Sequence, residues 1–330
     1  MMEKETSLKE IKQLVSEITG KRDVSNLVFI GCGASYSELF AAYYYVKQNA
    51  LGFKTDLIQA NEFNYAAPAY VGEHSVAVVA SLGGTTKESI EAVSNAKKSG
   101  AYVLALTYKP DSALSTKADF TLQHKFFESY ATKASKQKVL LTFAVELLHS
   151  IEKTENYDQM VHGLSVIDEI ANKAADGADE DAEKFAMAYR NEDHIFTLAS
   201  GANEGVAYST GNFIFMEMQW IKGTVLDSAE LFHGPFELAV KDAPYLLFMS
   251  DGKTRHLDSR ALEFLQRFDT KYTVIDAKDY WLDSQIDGAV VDYFDPMVLT
   301  AVMRKFAERL GDARNHPLSK RRYMWKLENY

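Results

Sequence analysis

The stretch "NLVFIGCGASYSELFAAYYYVKQNALG", residues 26–52, decides the fold. Leu27 to Ile30 are apolar without interruption, as in a strand buried on both faces. A turn holding Gly31 and Gly33 follows, and then a helix ending near Gly52. The same grammar recurs in "SVAVVASLGGTTKESIEAVSNAKKSGAYVLALTY", residues 75–108, with a further strand at its end. It returns in "HIFTLASGANEGVAYSTGNFIFMEMQWI", residues 194–221, where Ser200 is placed much as Ser35 is. Residues 244–268 and 271–277 then read as strand, helix and strand. Apolar strands alternating with helices imply a parallel sheet covered on both faces. The expectation is two related α/β halves in tandem, each a doubly wound parallel sheet, about 1–152 and 153–330.

Around these units, residues 7–19 read as an amphipathic helix with Leu8, Ile11, Leu14 and Ile18 on one side. A further helix is expected over 138–152. Residues 153–193 are polar and helical in pattern, and their acidic run "AADGADEDAEKF" reads as part of a solvated linker region containing helices.

Composition narrows the function. The 330 residues are 47% apolar and carry a net charge of −10, which argues against a general nucleic-acid surface. The single cysteine, Cys32, excludes a disulfide framework or a thiolate metal site within one chain. The N-terminus is charged and lacks the apolar core of a secretory signal, and no apolar run reaches the roughly 18–20 residues that span a bilayer. A soluble, cytoplasmic protein is expected.

The turns are the first candidate site. Gly31, Gly33 and Ser35 directly follow one strand, and Ser81, Gly83, Gly84, Thr85 and Thr86 follow the next. Ligands of open α/β sheets bind at such carboxyl ends. Glycines admit close backbone approach, a helix N-terminus offers amides to an anion, and hydroxyls add neutral donors. Tight turns with Ser/Thr caps are the alternative. A dinucleotide fits less well, because the third glycine of G-x-G-x-x-G is missing and Glu62 lies too far on for the ribose. There is no G-K-[ST] for a P-loop. A phosphorylated small molecule is the better match.

Glu217 stands in "GNFIFMEMQWI" among Phe213, Met216, Met218 and Trp220. A helix apolar on nearly every side is expected to be buried, and burial would raise a carboxyl toward the range useful for proton transfer. A hydrogen bond to a neighbouring helix, or a place at a subunit interface, is the alternative. His233, 16 residues later, follows an acidic residue and precedes a Gly-Pro pair that fixes the backbone. Glu217 and His233 make an acid–base pair suited to a sugar phosphate. Glu230 is a candidate to orient the imidazole, or a capping residue.

Taken together, "GCGASY", "ASLGGTTKES", "FMEMQW" and "SAELFHGPFE" resemble the SIS (sugar isomerase) domain family, with two SIS-like, flavodoxin-like halves covering nearly the whole chain. "SGANEGVAY", "FMEMQW" and the tail "NHPLSKRRYMWKLENY" are similar to its fructosamine-6-phosphate deglycase branch. The spacing of Glu217 and His233 also resembles that in the isomerase half of glucosamine-6-phosphate synthase. The resemblance implies substrate contacts at Gly33, Ala34, Ser35, Ser81, Leu82, Gly83 and Thr86, with Glu217 as proton shuttle and His233 as the ring-opening residue. It implies a homodimer or higher homo-oligomer with shared active sites, His233 serving either its own or the partner's site, and no metal or redox cofactor. Arg321, Arg322, Tyr323 and Lys326 of the tail would close over the site, or simply dock the tail.

Two positions depart from the family pattern. The usual S-x-S-G-E-T turn reads Ser81-Leu82-Gly83-Gly84-Thr85-Thr86, so a backbone amide must replace one hydroxyl. The lysine often found three residues before the catalytic glutamate is Ile214, and no glutaminase domain is expected. Synthesis from glutamine is therefore not the expected reaction. Cleavage of a 6-phosphorylated sugar–amino acid adduct is. An aldose–ketose isomerase, an amino-sugar-phosphate deaminase or a non-catalytic phosphosugar sensor are the alternatives.

Overall fold

The computed structural model describes residues 4–280 and 282–327. Five strands, β1 (Asn26–Gly31), β2 (Lys54–Gln59), β3 (Ser75–Ala80), β4 (Tyr102–Thr107) and β5 (Phe120–Gln123), form a parallel sheet in the order β2-β1-β3-β4-β5. Four more, β6 (His194–Ala199), β7 (Lys222–Asp227), β8 (Pro244–Met249) and β9 (Lys271–Asp276), form a second parallel sheet in the order β7-β6-β8-β9. The first order is that of flavodoxin-like folds, and the second is the same winding one strand shorter. The expected doubly wound α/β architecture is therefore present in both halves.

Each central strand buries both faces. Leu27 and Phe29 of β1 enter one core and Val28 and Ile30 enter another, and Ile195 and Leu198 of β6 divide in the same way. The edge strands β2, β5 and β7 were not read from the sequence. They are mostly half-buried, and Lys54 and Lys222 are exposed, so none shows the uninterrupted apolar run of the central strands.

The acidic stretch 153–193 behaves differently from the solvated linker expected of it. It forms helices Tyr157–Gly177 and Asp179–Tyr189, which bury Met160, Ile167, Ile170, Phe185 and Tyr189. Both pack against the long helix Asp295–Ala313. One continuous core joins these helices to the inner faces of both sheets. The acidic residues mark only the outer faces, where Asp179 pairs with Arg309. Among the described residues no helix is long and apolar enough to cross a membrane.

Two glycines set how closely the segment Thr210–Gln219 lies on β7. A Cβ at Gly223 would meet the Gly211 carbonyl oxygen at 2.3 Å, and one at Gly211 would meet Val225 Cγ2 at 2.6 Å. Because backbone cannot step aside as a side chain can, Gly223→Ala is expected to cost about 1–3 kcal/mol. Gly20→Ala, which meets nothing within 4 Å inside a helix, should leave the melting temperature equal or higher. Thermal unfolding of the two variants checks the contrast.

Candidate functional site

In the first sheet the winding reverses between β1 and β3, whose ends are level because Gly31 pairs with Ala80. A ligand crevice is expected there, and both glycine turns open into it. After β1 the chain turns at Gly33, with φ +57°, into the one-turn helix Ala34–Ser37. The Ser35 amide donates to the Cys32 carbonyl and the Tyr36 amide to the Gly33 carbonyl, at 3.1 and 3.0 Å. Those amides are used within the turn, which leaves the Ser35 hydroxyl and the amides of Gly33 and Ala34 for a ligand.

After β3, Ser81 Oγ and Thr86 Oγ1 lie 2.9 Å apart. Thr86 occupies the N-cap of helix Lys87–Lys98, but its hydroxyl does not cap it. The simple reading of a hydroxyl-capped turn therefore fails here, and the first-turn amides of the helix remain available to an anion. Thr107 Oγ1 and the Tyr108 amide both donate to the Leu82 carbonyl, at 2.8 and 3.1 Å, fixing the direction of the Leu82–Gly83 backbone. Gly84, at φ +67°, packs so closely on Ser112 that a Cβ would lie 2.0 Å from its hydroxyl oxygen.

The segment carrying Glu217 approaches the first turn directly. A Cβ at Gly33 would stand 3.8 Å from the Phe213 ring, and Tyr208 links the rings of Tyr36 and Phe213 with centroids 5.8 and 5.9 Å away. Thr210–Gln219 is a π-helix, a widened winding that occurs mainly at functional sites. It is not buried on nearly every side as its composition suggested. Met216 is exposed, and Glu217 keeps 22% of its side-chain surface and pairs with Arg321 Nη2 at 2.8 Å. Its apolar face meets the C-terminal tail, which a composition reading cannot foresee.

That tail docks on this segment. Arg321 Nη1 donates to the carbonyls of Leu318 and Lys320, while Lys320 and Arg322 lie over the Trp220 ring at 5.0 and 4.2 Å. Lys326 donates to the Arg321 carbonyl at 2.6 Å, so it braces the tail rather than facing Glu217. A cleft of about 640 Å3 remains between tail and helix, lined by Met216, Glu217, Trp220, Arg321, Arg322 and Tyr323. The last tail residues, 328–330, lie outside the described residues.

His233 is placed apart. It lies in an exposed turn between β7 and the short helix Pro235–Leu238, with its amide donating to the Glu230 carbonyl at 3.0 Å. The Glu230 side chain is exposed and makes no bond to the imidazole. Among the described residues, no hydrogen bond or ion pair involves the His233 ring, and none joins it to Glu217. Among the described residues, then, no direct bond within one chain ties the expected acid–base pair together.

The sequence reading overlooked two groups. Lys136 sits buried beneath the first turn, bonded to Ser35 and paired with Glu38. Glu204 lines a cleft of about 220 Å3 between the two halves, with Tyr36, Phe40, Tyr208 and Asp227. Burial pushes the Glu204 carboxyl up to about 7, Asp227 adds to the rise, and Lys47 opposes it. From pH 4.5 to about 7 the folded state thus holds a proton that the unfolded chain has released, so this group's contribution to stability falls as pH rises through that window. Glu204→Gln should raise the melting temperature above pH 7, by the equivalent of about 1–3 kcal/mol, and change little below pH 4.5. Thermal melts across that range test it. Neither group carries a sequence signal, since each is one charged residue in a mixed stretch whose burial is decided by distant packing.

Comparison with known proteins agrees with this fold. The family profile described as SIS domain matches residues 22–148. Fructosamine deglycase FrlB of Bacillus subtilis (strain 168) is 35% identical over 320 residues, 97% of each chain. Fructoselysine 6-phosphate deglycase of Escherichia coli (strain K12) is 22% identical, over 97% of this chain and 91% of its own. A solved chain from Salmonella typhimurium LT2, given as a candidate phosphosugar isomerase, superposes with a TM-score of 0.94 at 32% identity over 99% of both chains. With the two wound sheets and the turns at their switch point, the chain belongs to the SIS-domain family, within its fructosamine deglycase branch.

Proposed function

We propose that this protein cleaves a 6-phosphorylated fructosamine, a sugar–amino acid adduct, to glucose 6-phosphate and the free amine. The observation that carries the reading is the approach of the Glu217-bearing segment to the first turn, where the Phe213 ring would stand 3.8 Å from a Cβ at Gly33. The names of the related deglycases supply the substrate class. The phosphoryl group lies against Gly33, Ala34, Ser35, Ser81, Leu82, Gly83 and Thr86. His233, contributed by the second subunit of a homodimer, moves the ring proton that opens the sugar. Glu217 then removes a proton from C1 and returns it to C2 through an enaminol. The resulting Schiff base takes up water and releases the amine. The substrate's own nitrogen and carbonyl accept and return the electron pair. A cytoplasmic setting suits a phosphorylated substrate.

Product analysis tests the reading. With fructosyl-lysine 6-phosphate, glucosamine 6-phosphate and fructose 6-phosphate offered separately, glucose 6-phosphate and free lysine are expected from the first alone. Ammonia released from glucosamine 6-phosphate, or interconversion of hexose phosphates without adduct cleavage, would place the enzyme elsewhere in the family. No turnover of any of the three would favour a phosphosugar sensor.

A further inference from the structure

Lys136 occupies the first turn of helix Ser135–Glu152, with only 2% of its surface exposed. Both features disfavour it there. The helix dipole opposes a cation at an N-terminus, and a buried ammonium loses its hydration. An apolar residue would fill the same volume without either cost.

The surroundings offer one counter-charge. Lys136 Nζ pairs with the Glu38 carboxylate, which lies one turn after Ser35. It also donates to Ser35 Oγ at 3.0 Å. His124, fully buried nearby, is pushed down to about 3, by burial first and then by Lys136. It is therefore neutral, and its Nδ1 lies 2.7 Å from the Lys125 carbonyl. Nδ1 thus carries the proton, and the ring adds no charge to the cluster.

The consequence falls on Ser35. An ammonium that occupies a lone pair of its oxygen leaves the O–H as the group's remaining directional bond, free to point out of the turn. Residues 31–35 and 81–86 carry no cation of their own. Lys87, next in sequence after Thr86, is exposed to solvent, whereas Lys136 holds its charge buried against Ser35 itself.

We propose that Lys136 is a positioning residue of the phosphate subsite, fixing the Ser35 hydroxyl as a donor toward a phosphoryl oxygen and placing a positive charge directly beneath the turn. This rests on the reading of the two turns as the phosphate site. Glu38 holds the ammonium in place before the ligand arrives. The phosphate dianion then shares its charge through the Ser35 hydroxyl, a charge-assisted chain of two hydrogen bonds.

Lys136→Met alone strands a buried carboxylate, so the informative variant is the double replacement Lys136→Met with Glu38→Gln, which removes both charges together. Kinetics on a fructosamine 6-phosphate adduct and calorimetric titration with glucose 6-phosphate provide the readouts. The double variant is expected to melt near the parent. Its KM and its Kd for glucose 6-phosphate should rise about 10- to 100-fold, with kcat within a few-fold. Glu38→Gln alone, which keeps the ammonium, should bind glucose 6-phosphate at least as tightly as the parent. If Ser35→Ala weakens glucose 6-phosphate binding and the double variant does not, the role of Lys136 is overturned while the phosphate site stands. If Ser35→Ala and Ser81→Ala both bind glucose 6-phosphate like the parent, the phosphate reading itself falls.

Discussion

Glu217→Gln is expected to lower kcat by about 10²- to 10⁴-fold with KM changed only a few-fold. The amide has the shape of the carboxylate, and its carbonyl oxygen can still accept the bond that Arg321 Nη2 makes at 2.8 Å. The tail should therefore stay docked, with Lys320 and Arg322 on Trp220. On the proposed mechanism, what the substitution removes is the ability to take up a proton at C1 and deliver it at C2. Loss in kcat with retained KM is the signature of a group acting in the transition state only. Steady-state kinetics beside a thermal melt separates this from misfolding. Full turnover by a well-folded Glu217→Gln enzyme would mean that another base does the work.

The second large effect concerns how the site is completed. His233 is exposed, and among the described residues its imidazole makes no hydrogen bond or ion pair, with Glu230 or any other group. A ring-opening residue left in solvent would be poorly oriented, whereas a twofold interface can carry it into the neighbouring crevice. Glu217→Gln and His233→Ala should each be nearly inactive alone. When the two are dissociated together and allowed to reassociate, half of the dimers are mixed, and each mixed dimer holds one site with both groups intact. Recovery of about a quarter of parental activity is expected. If each site used its own His233, mixed dimers would contain only defective sites and the mixture would stay inactive. A chain that sediments as a monomer would exclude sharing outright.

Legibility in the sequence followed burial. β1, β3, β4, β6 and β8 were readable because burial of both faces demands an apolar run, as in Leu27–Ile30, while the edge strand β9 was readable from its β-branched run despite partial exposure. The edge strands β2, β5 and β7 were not, because half-buried residues such as those of "KTDLIQ" carry a mixed signal. The acidic stretch 174–185 misled for a related reason. Charge on the outer face of a helix says nothing about Phe185 on the inner one, which lies buried against helix Asp295–Ala313.

By itself the sequence determined the local chemistry: two glycine turns with Ser35, Ser81 and Thr86 at the ends of successive strands, and Glu217 and His233 at a family-like spacing. These are short-range features, set by the φ of Gly33 and Gly84 and by strand-to-helix connection. Only the tertiary structure decided what surrounds them. It freed the Thr86 helix from its cap, laid Arg321 on Glu217, left His233 exposed in a turn, and set Lys136 under Ser35 from 101 residues away. The physical reason is that a side chain's charge, exposure and reach depend on groups packed against it from distant parts of the chain, and local pattern records none of them.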